Sequence, residues 1–363
     1  MDNTMKKPLL ILSLILFVGL TAFATEVPFF SFKWFSSRSL YDQNPADVFS
    51  VNNTLGYLWF LSGQPRTVRV TPTDGSGQYE DIPIYEGERY ADEKAYLHLK
   101  TGANVGFFRF SLFREKVALE FGLSAALNSI FQGFGGADNL GYDGVYFIGP
   151  QLRLFDRVSF KFGLQHYSGH YGDETLENFN KVNGELRQGI EFTRDNNLFF
   201  GLNVDILKNL HFNIEATRPM VKSWMGPAVH IPNWVLKPSN EQPAHPIVAG
   251  DEKVTAVEYP DSYEAWSVQT GLWYDFSLTN QLGLSLAAIV KFHQDGMTLH
   301  TVGAYQEENP WETEFTLGVG LVLKEPKTDF KTRINFTYHN GRTPLLNFFY
   351  QRSSYIGLTI IMG

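Results

Sequence analysis

The sequence predicts an all-β fold, a transmembrane antiparallel β-barrel of about 12–14 strands. Along most of the chain, apolar residues alternate with polar or small ones, which is the period of a half-buried strand. No run of 18 apolar residues occurs beyond the N-terminus, although 15% of the residues are aromatic. An export signal at the N-terminus is the third observation. Together they indicate a barrel in the outer membrane of a Gram-negative-type bacterium.

The first 24 residues have the organisation of a secretory signal peptide. Lys6 and Lys7 precede the apolar run 8–20, and Ala22 and Ala24 supply the small residues of a cleavage site after Ala24. The apolar run is shorter than the roughly 20 residues that a helix needs to cross a bilayer. We therefore expect 1–24 to be a signal peptide.

Residues 25–90 lack clear alternation and contain WFSSRSLYDQNPADVF and TPTDGSGQYED. We expect them to form an N-terminal extension, either periplasmic or plugging the barrel, with room for one strand. The barrel itself is expected over residues 91–363.

Alternating segments recur from residue 95 to the C-terminus. In VALEFGLSAAL (117–127), Val117, Leu119 and Phe121 share one face, while Glu120 and Gly122 share the other. Strands are expected to start near Ala95, Lys116, Tyr142, Val158, Glu185, Leu198, Leu210, Ala265, Leu282, Glu314, Lys331 and Ser353. One segment before residue 90 and GPAVHIPNWVL (226–236) are further candidates.

The connections between these segments favour fourteen strands over twelve. Barrels of this class place tight turns in the periplasm and long loops outside. FREK (113–116), FDR (155–157) and SLTNQ (277–281) are tight turns. With twelve strands, the alternation of tight and long connections fails between Leu186 and Trp266. Fourteen strands restore it and place both ends of the chain in the periplasm.

The residue types on the two faces of the strands favour a membrane. A soluble sandwich or barrel hides its apolar rows in a core, whereas a transmembrane barrel turns them towards lipid. The apolar rows here are rich in Phe and Leu. The opposite rows carry many glycines, namely Gly122, Gly163, Gly189, Gly201, Gly271, Gly283, Gly318 and Gly320.

Composition and the last strand indicate the partners. The absence of cysteine excludes disulfides and Cys-ligated metals, and a net charge of −8 argues against nucleic acid. In YIGLTIIM (355–362), Tyr355 and Gly357 are followed by Ile360 and Met362, which resembles the C-terminal assembly signal of bacterial outer-membrane barrels. The resemblance implies the barrel assembly machinery as a partner, and the location implies outer-membrane lipids.

The stretch QHYSGHYGDE (165–174) is the candidate functional site. His166, Ser168 and His170 have the parity of the apolar row that ends at Leu164, so a regular strand places them on the lipid side. The residues that then face the lumen are Gln165 and Tyr167.

Three interpretations of this stretch remain open. His and Tyr suit an interfacial girdle at the lipid headgroups. Ser168 could be a nucleophile with His166 as its base and a third group as orienter. His166 and His170 lie about 13 Å apart in a regular strand, too far to share a zinc ion. Asp173 and Glu174 could bind calcium with loop carbonyls.

The His-x-Ser pair resembles that of outer-membrane phospholipase A, where it lies on the outside of the barrel. In that family an asparagine twelve residues after the serine orients the histidine, which corresponds to Asn180 here. Outer-membrane lipid A deacylases are similar but use a glutamate. The glutamates that could correspond are Glu174, Glu177 and Glu185. The residues assigned to binding are His170, Asp173 and Glu174. We expect no cofactor, except that the phospholipase likeness implies calcium if the chain is a hydrolase.

Three blocks resemble a family of uncharacterised bacterial outer-membrane β-barrel proteins, catalogued as the domain of unknown function number twelve hundred and seven. They are H-x-S-x-H-x-G-D-E (166–174), K-V-N-x-E-L-R-Q-G (181–189) and FFYQRSSYIGL (348–358). This chain departs from the family pattern at Gly169, where a serine is frequent, and at Gly184, where Tyr-Ser-Arg is frequent. The resemblance implies an envelope barrel and supplies no established activity.

The sequence therefore predicts an outer-membrane barrel without an assigned reaction. The first alternative is a lipid-facing acyl hydrolase with His166, Ser168 and Asn180 as catalytic residues. The second is a passive porin. The charged residues expected on the lumen face, which do not decide the channel width, are Lys161, Arg187, Glu191, Lys291 and Arg333.

Overall fold

A computed structural model describes residues 28–70, 80–83, 93–133, 138–175, 193–219, 266–294, 311–325, 330–348 and 351–362. The strands are β1 (Phe30–Ser36), β2 (Asn53–Ser62), β3 (Thr67–Val70), β4 (Glu80–Pro83), β5 (Ala95–Leu112), β6 (Val117–Gln132), β7 (Asn139–Leu154), β8 (Val158–Tyr171), β9 (Thr193–Leu207), β10 (Leu210–Pro219), β11 (Ser267–Ser277), β12 (Leu282–Gln294), β13 (Trp311–Lys324), β14 (Lys331–Arg342) and β15 (Arg352–Met362). A short 3-10 helix, Leu346–Phe348, precedes β15. In these ranges no helix is long and apolar enough to span a membrane. The expected signal peptide, 1–24, lies outside the described residues.

Within the described residues, twelve strands, β2 and β5–β15, close into an antiparallel barrel. The ring closes at β2, which pairs with β15 on one side and β5 on the other. The predicted fold class is confirmed, but the preference for fourteen strands is wrong. Because β8 pairs directly with β9 and β10 with β11, no further strand fits at those points. The expected strands at Glu185 and 226–236 lie outside the described residues.

The ring begins at β2, ahead of the boundary at residue 91 that the sequence suggested. The alternation in β2 is hidden because apolar residues occupy both of its faces. Inward-facing Phe60 packs against the rings of Tyr96 and Tyr355, with centroid distances of 4.9 and 5.4 Å. Leu58 also faces inward and is buried. A search for polar residues at every second position therefore misses this strand.

The two faces of the barrel wall have opposite character. Outward-facing Leu119, Phe162 and Leu317 are 44%, 45% and 49% exposed, whereas inward-facing Glu120 and Lys161 are buried. Apolar exposure on this scale around the ring indicates a surface that contacts lipid. The apolar rows face outward, as the sequence predicted. The chain is an outer-membrane β-barrel.

The connections at the two ends of the barrel differ in length. Residues 113–116, 155–157 and 278–281 join neighbouring strands at one end, as predicted for the tight turns. The connections after β8, β10 and β12 are longer and leave the opposite end. Since long loops are extracellular in such barrels, the C-terminal end of β8 lies at the extracellular end.

One barrel strand is interrupted. β1 pairs with residues 106–112 of β5, and β2 pairs with residues 95–100 of the same strand, in the same direction. β1 and β2 are therefore two parts of one strand, joined by residues 37–52. This connecting segment, which we call the plug, folds into the lumen. Its buried residues include Leu40, Tyr41, Asn44, Ala46 and Val51.

Polar side chains of the wall hold the first half of the plug. Gln151 Oε1 accepts hydrogen bonds from Ser39 Oγ at 2.6 Å and from the backbone N–H groups of Leu40 and Tyr41 at 3.1 Å. The Tyr41 hydroxyl donates to Glu215 at 2.9 Å. Burial, reinforced by Glu215, raises the pKa of Tyr41 well above its ordinary value. The phenol therefore stays protonated and remains a donor.

A second segment lies at the extracellular end between β14 and β15. We call its described residues, 343–348, the cap. Leu345 and Phe348 are buried, and the Leu346 N–H donates to the Asp143 carboxylate at 3.1 Å. The cavity between the plug and the Pro344 end of the cap measures about 20 Å³, which is room for one water molecule. Plug and cap therefore both lie against the inner face of the barrel wall.

Candidate functional site

The structure places the predicted His-x-Ser block on the outer face of β8. The side chains of Ser159, Lys161 and Gln165 alternate into the lumen and are buried. His166 and Ser168 lie at the intervening positions, and so does His170. The face that the sequence predicted for these three residues is therefore confirmed.

Two hydrogen bonds organise the block. Ser168 Oγ and His170 Nε2 are 3.1 Å apart, and His166 Nδ1 and Asn196 Oδ1 are 2.7 Å apart. An amide oxygen only accepts, so Nδ1 of His166 is the donor and carries the proton. With the proton on Nδ1, Nε2 is the ring atom that can take up a proton, which is the arrangement that a general base requires.

Asn196 is a candidate site residue that the sequence did not identify. It lies on β9 at the register position directly opposite His166. The expected orienter, Asn180, and the alternatives Glu177 and Glu185 lie outside the described residues. No local motif marks Asn196, because its position beside His166 depends on the pairing of two strands separated by a long loop.

Aromatic residues of β7 line the other side of the block. Tyr142 is the register partner of His170, and their rings stack with centroids 4.8 Å apart. Tyr146 is the partner of His166, and these rings lie 5.9 Å apart at 30°. Each imidazole is therefore supported by a tyrosine ring on the neighbouring strand.

The absence of a side chain at Gly144 makes room for the Tyr146 ring beside Ser168. Gly144 is the register partner of Ser168, and a Cβ at Gly144 would lie 2.6 Å from the Tyr146 ring and 2.8 Å from its hydroxyl oxygen. The Tyr146 ring therefore lies over Gly144. Its hydroxyl comes to the position opposite Ser168, where Cβ positions across the ladder are about 4.5–5.5 Å apart.

The block lies where the apolar surface of β8 gives way to polar residues. Phe160 and Phe162 are exposed on the outer face nearer the periplasm, followed by Leu164. His166 and Ser168 lie two and four residues beyond Leu164, and at about 3.3 Å per residue their side chains come to the level of the lipid headgroups and ester bonds. The site is therefore placed against the outer leaflet.

The acidic pair after β8 does not form a metal site with its described neighbours. Asp173 and Glu174 are both exposed, and Glu174 accepts a hydrogen bond from the Asn139 N–H at 3.3 Å. Within the described ranges, no group of three or more His, Asp or Glu side chains could hold a metal ion. A calcium requirement therefore stays a prediction.

A second polar cluster, which we call the lumenal cluster, faces inward near the same end of the barrel. Thr316 Oγ1 and His339 Nδ1 are 2.9 Å apart, and His339 Nε2 donates to the Arg342 carbonyl oxygen at 3.0 Å. Glu314 pairs with His293 and lies 3.9 Å from His339. All of these side chains are buried or nearly so, and they join β12, β13 and β14.

Known proteins resemble this chain weakly. Outer-membrane phospholipase A from Escherichia coli has a TM-score of 0.46 at 11% identity, covering 89% of this chain and 95% of that one. The Salmonella typhi outer-membrane phospholipase dimer with bound calcium has a TM-score of 0.45 at 12% identity, covering 89% and 94%. For the NanC porin the values are 0.36 and 10%, covering 86% and 100%. Similarity this low assigns no activity.

No family model matches the chain, and no curated protein does. The resemblance to the uncharacterised outer-membrane family therefore stays a prediction.

Proposed function

We propose that the protein is a serine hydrolase that cleaves ester-linked acyl chains of outer-leaflet lipids. The observation that supports this function best is the 2.7 Å bond between His166 Nδ1 and Asn196 Oδ1, beside Ser168 on the lipid side of the barrel. A nucleophile, a base and a group that orients the base are the components of such a site.

Acylation begins with Ser168. Its Oγ attacks the carbonyl carbon of the acyl ester, and its proton passes to Nε2 of His166. In the resting arrangement the hydroxyl is bonded to His170. A rotation about χ1 between staggered positions turns it towards His166, which lies two residues away on the same face. Asn196 holds the His166 ring and its tautomer during this transfer.

The tetrahedral intermediate then collapses. The bond to the alcohol oxygen breaks, and His166 returns the proton to that oxygen. A water molecule attacks the acyl-enzyme in the same way, with His166 as base, and releases the fatty acid and free Ser168. The Tyr146 hydroxyl, which lies over Gly144 opposite Ser168, is the donor positioned to stabilise the oxyanion.

The position of the site explains why lipid is the substrate. Lipids reach the outer face by diffusion in the leaflet, with their ester bonds at the boundary between headgroups and acyl chains. A soluble ester inside the barrel cannot reach the site, because the lumenal side of the same strand is packed against the plug. The two substrate classes consistent with this position are glycerophospholipids and lipid A.

The direct test is release of fatty acid from phosphatidylethanolamine and, separately, from lipid A by purified protein in mixed micelles. The wild type should release fatty acid, and Ser168→Ala should lose about 10³-fold or more of the rate. Ser159→Ala is the matched control, because Ser159 lies on the same strand and faces the lumen. Each assay is run with calcium and with a chelator. Absence of release in all four assays contradicts the proposal.

A second comparison identifies the base. His166→Ala should lower the rate more than His170→Ala, because the His166 ring is the one bonded to Asn196. The reverse ranking would assign proton transfer to His170, whose Nε2 is the atom bonded to Ser168 at rest.

A further inference from the structure

The wall behind the site is packed against the plug. Val145 of β7 and Tyr167 of β8 are register partners that point into the lumen. There they pack with Val51 and Phe49 of the plug, and the Phe49 and Tyr167 ring centroids are 6.1 Å apart.

The same backbone carries the site on its other side. Adjacent residues of a strand point to opposite faces, so the neighbours of Val145 and Tyr167 point outward. Those neighbours are Gly144, Tyr146, His166 and Ser168. The plug therefore supports, from inside the barrel, the two strand segments that hold the nucleophile, the base and the oxyanion donor.

We propose that the plug controls the outer site through the wall, so that the hydrolase is active when the plug is seated against Val145 and Tyr167 and inactive when it is displaced. This inference rests on the proposed function. Catalysis is sensitive to such support, because a misplacement of about 1 Å caused far from the chemistry can cost about 10²-fold in rate.

The contacts that seat the plug are ones that water can replace. Gln151 accepts three hydrogen bonds from residues 39–41. Asn203 donates to the Asp42 carbonyl oxygen at 2.8 Å, and Lys100 donates to the Val48 carbonyl oxygen at 2.9 Å. Apolar contacts add to these bonds, since Val51 and Phe49 pack with Val145 and Tyr167, and Ala46 packs with wall residues in a second cluster. Hydrogen bonds of this kind exchange with water at small net cost.

The plug also has enough length to shift without unpairing the strands at its ends. Ser36 pairs with Gly106 and Thr54 with Lys100, so the anchor points lie about 20 Å apart along β5. The chain from residue 36 to residue 54 could span about 60 Å when fully extended. Movement of the plug therefore leaves the barrel wall intact.

Two substitutions that unseat the plug test the inference. Gln151→Ala removes three bonds to the plug, and Phe49→Ala removes the ring behind Ser168. Each should lower kcat about tenfold with KM unchanged, whereas Phe49→Leu, which keeps the bulk, should restore most of the rate. The control is Ser285→Ala, which alters a buried lumen residue bonded to Asp275. An unchanged kcat in Gln151→Ala and Phe49→Ala overturns the inference.

An engineered disulfide that holds the plug against the wall distinguishes an effect of plug position from a general loss of structure. A Cβ at Gly318 would lie 3.9 Å from the Ala46 Cβ, within the range of about 3.5–4.5 Å that a disulfide requires. The natural chain has no cysteine. In the Gln151→Ala background, Ala46→Cys with Gly318→Cys should restore kcat when oxidised and lose it again on reduction. Equal rates in the two redox states contradict control by the plug.

A readout without lipid hydrolysis distinguishes failure of this inference from failure of the proposed function. Ser168→Cys supplies a single thiol at the site, and its alkylation by a membrane-permeant maleimide reports the local geometry. Adding Phe49→Ala should change the alkylation rate severalfold, and adding Ser285→Ala should not. If the wild type hydrolyses no lipid but Phe49→Ala changes the alkylation rate, the coupling between plug and outer face is supported and the proposed hydrolase function is wrong. If Phe49→Ala leaves the alkylation rate unchanged, the proposed coupling between plug and outer face is wrong.

Discussion

The outer site and the lumenal cluster use the same chemistry on opposite faces of one wall. Each pairs a hydroxyl with an imidazole near the extracellular end, Ser168 with His170 at 3.1 Å outside and Thr316 with His339 at 2.9 Å inside. The lumenal pair is buried and adjoins Glu314. Since Glu314 also pairs with His293 of β12, the cluster links three strands. The outer pair lies at the edge of the apolar outer surface of β8.

The difference shows which polar group calls for a functional explanation. A polar lumen is normal in such barrels, where buried charges and amides pair with one another and stabilise the wall. On the lipid face, polar and ionisable groups are uncommon, and they commonly mark functional sites. We therefore assign stability to the lumenal cluster and chemistry to the outer one.

The largest expected effect comes from replacing one histidine on each face, the proposed base outside and the partner of Thr316 inside. His166→Ala should reduce fatty-acid release about 10³-fold and leave the unfolding midpoint in urea nearly unchanged. His339→Ala should keep most of the hydrolysis and lower the midpoint, because it removes the partner of Thr316 and of the Arg342 carbonyl oxygen. If both variants lose activity in proportion to stability, the two clusters do not differ in role.

The next effect concerns stability alone. Glu314→Ala leaves the buried His293 ring without its carboxylate partner, and a buried polar group that loses its partner typically costs about 1–3 kcal/mol. Equilibrium unfolding in lipid vesicles measures this loss. Hydrolysis per folded molecule should stay at the wild-type level, and a loss of specific activity would connect the lumenal cluster to the chemistry.

Asn196→Ala should have an intermediate effect on catalysis. Loss of its bond to His166 Nδ1 releases the ring and its tautomer, so we expect kcat to fall about 10²-fold with KM unchanged. Asn196→Gln keeps an amide but moves it, so its kcat should lie between those of the wild type and Asn196→Ala. An unchanged kcat in Asn196→Ala would mean that the base is oriented by another group.

The smallest expected effect is at the oxyanion donor. Tyr146→Phe removes only the hydroxyl over Gly144 and should lower kcat about tenfold, since one such donor contributes a limited part of catalysis. Tyr142→Phe is the matched control, because Tyr142 stacks on His170 through its ring and should keep its rate. Equal rates for both variants would exclude Tyr146 as the donor.

The parts of the fold that follow from local alternation were predictable from sequence. The period of two in VSFKFGLQ placed His166 and Ser168 on the lipid side, and the structure confirms that face. The tight turns at 113–116 and 155–157 were equally local. The strand count failed because it depended on connections whose lengths do not reveal which strands pair.

The plug and the orienting asparagine depend on contacts that are distant in sequence. Leu40 is held by Gln151, 111 residues away, and Asp42 by Asn203, 161 residues away. Asn196 reaches His166 across 30 residues through the register of β8 and β9. No spacing rule within a single segment identifies such partners, since the pairing of whole strands determines them.

The most direct test of the central claim is the reaction of the outer serine with a lipid-like fluorophosphonate, followed by peptide mass spectrometry. The account predicts a single adduct on Ser168, lost in Ser168→Ala, strongly slowed in His166→Ala and unaffected by Thr316→Val in the lumenal cluster. An unlabelled Ser168 in folded protein, or labelling that His166→Ala does not slow, would contradict it.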